Sequence, residues 1–456
     1  MKRPILISLL LIACCAGAQI DTRVVTAPVN TKDPDKANSS DNNSDKDKDK
    51  GEESERSRDR QPALSGLETL RRDIGHDTLS FSGQLSGLAD SNARQTNLDP
   101  SVGVFSQFGG LVQFQHTARS GVTTAEYSGG STAGGSALGQ EQSYQEVGAT
   151  QTLSIGRWHL LGGGHFTYLP ESAFGFNSVR AVPDANAAAN AGTGQTIFTQ
   201  AGTQINRALL AQGDLNLNRF SSITMLATYQ RQTFDNQGLL NTSEIDARFG
   251  YNRILSSRRS VAVAYSFGQF DFDNTTARLQ THSIQFFLSQ KLSQNTSFKV
   301  SLGPQIMVSQ GSVAAGTGVT LSGNAELDYK LGRTQLDFSY SRQTTGGSGV
   351  FTGSLVNQVM VLADRRINRI WDVSTSVSYA HTGSLEGITT FAAQTFDAVY
   401  ATSRVNLRLT RNLDAFLSYG IQVQGFQTQA PSVTYPARHL AVIGLMFHPR
   451  PLLLRH

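Results

Sequence analysis

The amino-acid sequence predicts an all-β chain: a closed antiparallel transmembrane up-and-down β-barrel of about 18 strands, with 16 also possible, preceded by a signal peptide and a disordered charged segment. Three observations lead there. Apolar and polar residues alternate with period two over stretches of roughly ten residues or more, where ordinary strands run to about five or six. Tight polar turns recur near Arg119, Arg157, Arg219, Ser257, Gln294, Arg333, Arg369 and Arg411, spaced 36–42 residues apart except for one interval of 62. Composition is unusual as well: only 16% of residues are charged and 39% hydrophobic, with 43 glycines, against about 25% charged in an average soluble domain. The run 5–15 alone could enter a bilayer as a helix, and it is too short to span one, which excludes a polytopic helical protein.

Taken in order, Lys2 and Arg3, the apolar run from Ile5 to Ile12, and Ala16-Gly17-Ala18 describe a secretory signal peptide over residues 1–18. Both cysteines, Cys14 and Cys15, lie inside it, so the mature chain is expected to hold neither disulfides nor thiolate metal sites. Leu11-Ile12-Ala13-Cys14 also resembles a lipoprotein box, which leaves lipidation of Cys14 as a second reading. Residues 19–62 form a charged tether with Asp-Lys alternation from Asp45 to Lys50 and almost nothing apolar, a composition that cannot offset chain entropy. Over 63–77, Ser65 and Glu68 fit a capping box, and Leu64, Leu67, Leu70 and Ile74 share one face ahead of Gly75, predicting a short amphipathic helix.

The barrel is expected over 78–448, followed by a tail at 449–456. Alternation is plain from Val319 to Leu331, where odd positions are apolar or small and even ones polar, and it continues past the turn in Leu336, Phe338 and Tyr340. The predicted strands are 78–88, 104–117, 121–129, 143–154, 157–168, 203–217, 221–234, 242–254, 260–272, 278–291, 296–309, 318–331, 334–343, 354–366, 371–382, 396–409, 413–427 and 437–448. The first three are the least defined, hence the alternative of 16. Each repeat is a short turn between two long strands, joined to the next by a longer connection. A period near 40 also suggests propeller blades, but blades need four short strands per period, and here there are two long ones.

Trp158 and Trp371 sit beside short turns, where amphipathic rings belong at a headgroup level. Arginine recurs at the same turns, either as an anchor to anionic headgroups or as ordinary turn polarity. With these features the region resembles a bacterial outer-membrane β-barrel of the porin-like kind. The resemblance rests on architecture, with no subfamily motif matched. It implies a location in the bacterial outer membrane and outer-membrane lipid as a partner. It also makes the N-terminal tether either a solvated periplasmic spacer or a contact with periplasmic or cell-wall components. Many such barrels end on a terminal Phe; here Phe447 is followed by nine further residues, a departure from that pattern.

Candidate chemistry is sparse. His159 and His165 share a strand but stand about 20 Å apart along it, too far for one metal. Gly162-Gly163-Gly164 lacks the helix, Lys and Ser/Thr of a phosphate loop. Scattered arginines form no stripe for nucleic acid, and no cofactor, metal or catalytic residue is expected. If apolar positions face lipid, the lumen receives Asp214, Glu244, Asp246, Arg248, Lys299, Glu326, Asp328, Lys330, Asp337, Asp364, Arg366, Arg404 and Arg408. The 169–201 segment, with Glu171, Arg180 and Asp184, is expected either to constrict that lumen or to lie outside it. The function expected is passive diffusion of small polar solutes through a channel. The alternatives are an export pore for a polymer, a non-conducting envelope scaffold and, more remotely, a barrel hydrolase.

Overall fold

In a computed structural model of the protein, the alternating segments pair edge to edge into one sheet that closes on itself. The structure describes residues 77–93, 100–118, 120–134, 142–171, 201–235, 239–273, 275–311, 316–347, 349, 351–385, 395–427 and 433–454. The expected signal peptide and tether lie outside these, as does the expected helix apart from Asp77.

The strands are β1 (Asp77–Asp90), β2 (Gly103–Ala118), β3 (Gly121–Ala133), β4 (Gln142–Ile155), β5 (Trp158–Glu171), β6 (Ala201–Asn218), β7 (Ser221–Phe234), β8 (Thr242–Ser256), β9 (Arg259–Phe272) and β10 (Arg278–Lys291). They continue as β11 (Thr296–Gln310), β12 (Gly316–Leu331), β13 (Thr334–Thr345), β14 (Ser354–Arg366), β15 (Trp371–Ser384), β16 (Thr395–Arg408), β17 (Leu413–Gln427), β18 (Val433–Thr434), β19 (Arg438–Phe447) and β20 (Leu452–Leu454). Eighteen of them form the wall. The short β18 only leads into β19 along β17, and β20 extends the edge of β1. Each wall strand runs antiparallel to the next, and β19 closes onto β1 from Gly83↔Phe447 to Asp90↔Leu440. The count is therefore 18 and not 16, because β1 to β3 are full-length members. Asp77, expected in a helix, begins β1, and part of the expected tail pairs with Asp77, Thr78 and Leu79 as β20.

Closure gives every strand an inner and an outer face, and the sequence parity decides which residue takes which. On β12, Val319 and Leu321 are 74% and 55% exposed on the outer face, while Ser322 between strands β11 and β13 is buried within. The same division holds on β8, where Ile245, Phe249 and Tyr251 look out and Glu244 and Asn252 are buried inside. Large apolar residues thus cover the outside and hydroxyls, amides and charges the inside, the inverse of a soluble protein. Among the described residues no helix is long and apolar enough to cross a membrane.

Short turns gather at one end. At Gly332-Arg333, the two-residue hairpin needs a positive φ, and Gly332 supplies it at 58°. At the turn before β15, the Asn368 side chain accepts hydrogen bonds from the backbone N–H groups of Ile370 and Trp371, both 2.9 Å. The longer connections lie at the opposite end.

Candidate functional site: the barrel interior

The seam is held by a buried ion pair. Arg438, at the start of β19, donates through Nε and Nη2 to both oxygens of Asp90, at the end of β1, with distances from 2.5 to 3.0 Å. Asp90 and Arg438 are 1% and 5% exposed, so the two ends of the barrel strand sequence meet through a forked, charge-assisted contact inside the wall.

All thirteen residues expected to face inward fall on the interior face: Asp214 on β6, Glu244, Asp246 and Arg248 on β8, Lys299 on β11, Glu326, Asp328 and Lys330 on β12, Asp337 on β13, Asp364 and Arg366 on β14, and Arg404 and Arg408 on β16. Most of them crowd toward the short-turn end on β11 to β17. There Lys299 Nζ meets Glu326 Oε2 at 3.1 Å, and Ser297 Oγ donates to Asp328 Oδ2 at 2.7 Å. Asp328 stands directly opposite Asp337, whose other neighbour Gln335 donates to it at 2.9 Å. Arg404 donates to Asn406 at 2.8 Å and lies 3.9 Å over the Phe416 ring, a cation–π contact; Asn406 in turn donates to Asp372 at 2.7 Å.

Parity alone could have added Glu126, Glu146, Asp372 and Asp414 to that set, since each occupies an inward position on a strand that was recognised. His165 and Glu146 pair at 2.8 Å, and His448 and Asp414 at 2.9 Å. With these included, acids outnumber bases on the described interior face although the whole chain is formally +4.

The loop end of the interior differs. One apolar cluster joins Tyr144 of β4, Leu169 of β5, Val356 of β14, Ala380 of β15, and Phe396, Ala398 and Tyr400 of β16 with Phe351 from the β13–β14 connection. Strands β5 and β14 are nine apart in a ring of 18, so this cluster spans the barrel from one wall to its opposite. A second cluster, Phe270, Phe272, Leu279 and Leu385, packs against Met307 and Leu355. A third, with Leu88, Phe105, Phe416, Leu440 and Val442, includes Ala93 from the β1–β2 connection.

The described residues of 346–353 touch the first two clusters, Phe351 within the first and Gly353 beside Leu279 and Leu385 of the second. Leu240 N–H, between β7 and β8, donates to the Gly349 carbonyl at 2.8 Å, reaching a segment that starts five strands away. Gly349 and Gly353 have φ of 80° and 90°. A Cβ on Gly349 would come 2.6 Å from the Phe234 ring, and one on Gly353 would come 2.8 Å from Leu279, so both the conformation and the close approach require glycine. Among the described residues, Phe351, Gly349 and Gly353 of 346–353 thus pack inward, in a segment that nothing in the sequence marked. Of the expected constriction residues, Glu171 ends β5, and Arg180 and Asp184 lie outside the described residues. Trp158 and Trp371 open β5 and β15 on the outer face, next to short turns.

One arrangement invites a catalytic reading. Ser154, His159 and Asp214 share a row across β4, β5 and β6, with Ser154 Oγ 3.0 Å from His159 Nδ1. Asp214 instead spends its oxygens on Thr224 (2.5 Å) and Gln212 (2.8 Å). The flanking backbone N–H groups are committed to strand ladders, which leaves none to hold an oxyanion. The row is polar packing, not a charge relay. Among the described residues, no group of three or more His, Cys, Asp or Glu could hold a metal ion.

No protein-family model matches the sequence, and comparison with curated proteins finds no match. Solved structures do align. OccK2 (OpdF) of Pseudomonas aeruginosa is 12% identical with a TM-score of 0.43, over 84% of this chain and 99% of that one. The outer membrane protein OpdK of the same organism is 11% identical with a TM-score of 0.43, over 84% and 100%. The siderophore receptor PirA of Pseudomonas aeruginosa is 6% identical with a TM-score of 0.39, over 81% and 80%. Identities this low leave the functional reading to the residues of the chain itself.

Proposed function

We propose that this protein is a porin-like channel of the bacterial outer membrane for small polar solutes, closed at its loop end by the 346–353 segment. The observation that carries the proposal is the inversion of faces: exposed Leu, Val, Phe and Tyr around the outside, buried Gln, Ser, Thr and charges within. Only a solvent of hydrocarbon makes that outside favourable, and only closure satisfies backbone groups in such a solvent. Trp158 and Trp371 act as headgroup-level anchors on the short-turn side, which the resemblance makes periplasmic. The excess of interior acids favours cations over anions among permeating solutes.

A second reading, a non-conducting scaffold, is favoured by the apolar cluster that spans the interior. Planar-bilayer recordings decide between them. A channel predicts brief or rare steps in the native protein and large, sustained, cation-preferring steps once 346–353 is replaced by a short hairpin turn. Silence in both proteins, each verified as folded by heat-modifiable migration on a denaturing gel, makes the barrel a scaffold.

A further inference from the structure

At the loop end of the outer face, arginines interrupt the apolar surface. Arg207 of β6 and Arg231 of β7 are direct cross-strand partners, both pointing outward. The hydrogen-bonded row continues through Ser243 of β8 and Asp271 of β9 to Arg278 of β10. Arg278 is neutralised by Asp271 at 2.5 Å, and Arg231 by Asp273 at 2.7 Å. Arg207 is exposed and has no ion-pair partner among the described residues. Like charges directly opposite across strands oppose the pairing, with Cβ atoms only about 4.5–5.5 Å apart. One step nearer the short turns, the same face presents Leu209, Tyr229 and Ile245, all exposed. A cationic pair therefore sits at the upper margin of an apolar surface, one positive charge in excess.

We propose that Arg207 and Arg231 clamp the phosphate of an anionic lipid headgroup in the leaflet at the loop end, with Leu209, Tyr229 and Ile245 against its acyl chains. Guanidinium forks match phosphate oxygens, and an anion held by the two arginines offsets the one positive charge that the Arg231–Asp273 pair leaves at Arg207. The site rests on the reading of the body as a membrane barrel.

Full-length protein is reconstituted in phosphatidylcholine vesicles containing phosphatidic acid and extracted in nonionic detergent, and the lipid retained is identified by mass spectrometry. Native protein is expected to retain phosphatidic acid in preference to phosphatidylcholine. Replacing both arginines by alanine is expected to lower that retention about tenfold. Lysine at both positions should fall between, since it keeps charge and loses the fork. Arg253→Ala, on the outer face near the short turns, should behave as native. Retention unchanged in the double alanine variant, or lost equally in Arg253→Ala, overturns the site. If inorganic phosphate alone displaces the lipid as effectively as added phosphatidic acid, the pair binds free anions and the lipid assignment is overturned. Extracted protein that is heat-modifiable yet indifferent to the arginines refutes this site alone. Protein that stays monodisperse without detergent refutes the membrane reading beneath it.

Discussion

At the loop end of the interior, Phe351, Tyr144, Leu169, Phe396 and Tyr400 join in one cluster across the barrel, whereas at the short-turn end β12 to β15 present Glu326, Asp328, Asp337, Asp364 and Asp372. Strands β14 and β15 contribute inward residues to both ends, Val356 and Ala380 to the cluster and Asp364 and Asp372 to the charged end, so the difference is not one of architecture. It lies in what the connecting segments do. At the short-turn end charges such as Lys299 and Glu326 are half-buried and paired, and Arg404 is buried against Phe416 and Asn406. The described residues of 346–353 turn inward, and Phe351 packs with the inward aromatic residues of the walls. Charge buried inside this barrel is held by a partner: Asp90 by Arg438 at the loop end, and Asp214 by Thr224 and Gln212 toward the short turns.

This contrast can be broken in graded ways. The largest effect is expected from replacing 346–353 by a two-residue turn: loss of the cross-barrel cluster should convert brief openings into sustained conductance in planar bilayers. Next comes the seam. Arg438→Ala leaves Asp90 buried with no opposite charge and the Asn92 N–H as its remaining donor, with an expected cost of about 3–5 kcal/mol. It would be read as a lower temperature at which heat-modifiable migration is lost, and exchanging the two residues should restore part of it. Phe351→Ala should act as a weaker version of the loop replacement, raising open probability while leaving the folded migration intact. Reversing Asp328 and Asp337 to lysine should leave conductance in place and reduce cation preference severalfold, measured as the reversal potential in a salt gradient. The smallest change is expected from Lys299→Ala: its pair with Glu326 is partly exposed, so stability should shift by under about 1 kcal/mol. A Lys299 effect as large as that of Arg438 would show that partial exposure does not weaken the Lys299–Glu326 pair.

Much of the wall could be read from local alternation. The segment 318–331 emerges as Gly316–Leu331, 221–234 matches β7, and the inward charges on β8, β11, β12 and β14 follow from parity alone. What escaped was the inward loop. Its octet of four glycines, one phenylalanine and small residues has neither the length nor the charge that drew attention to 169–201. Nor could the seam be anticipated, since Asp90 and Arg438 stand 348 positions apart.

The sequence by itself determined that this chain is a sheet with an apolar and a polar face, because strand periodicity is a property of neighbours two residues apart. Only the tertiary structure decided the register of the closing pair, the inward packing of Phe351 and which charges met. Those outcomes depend on the shape of the enclosed space, and that space exists only once distant strands have paired.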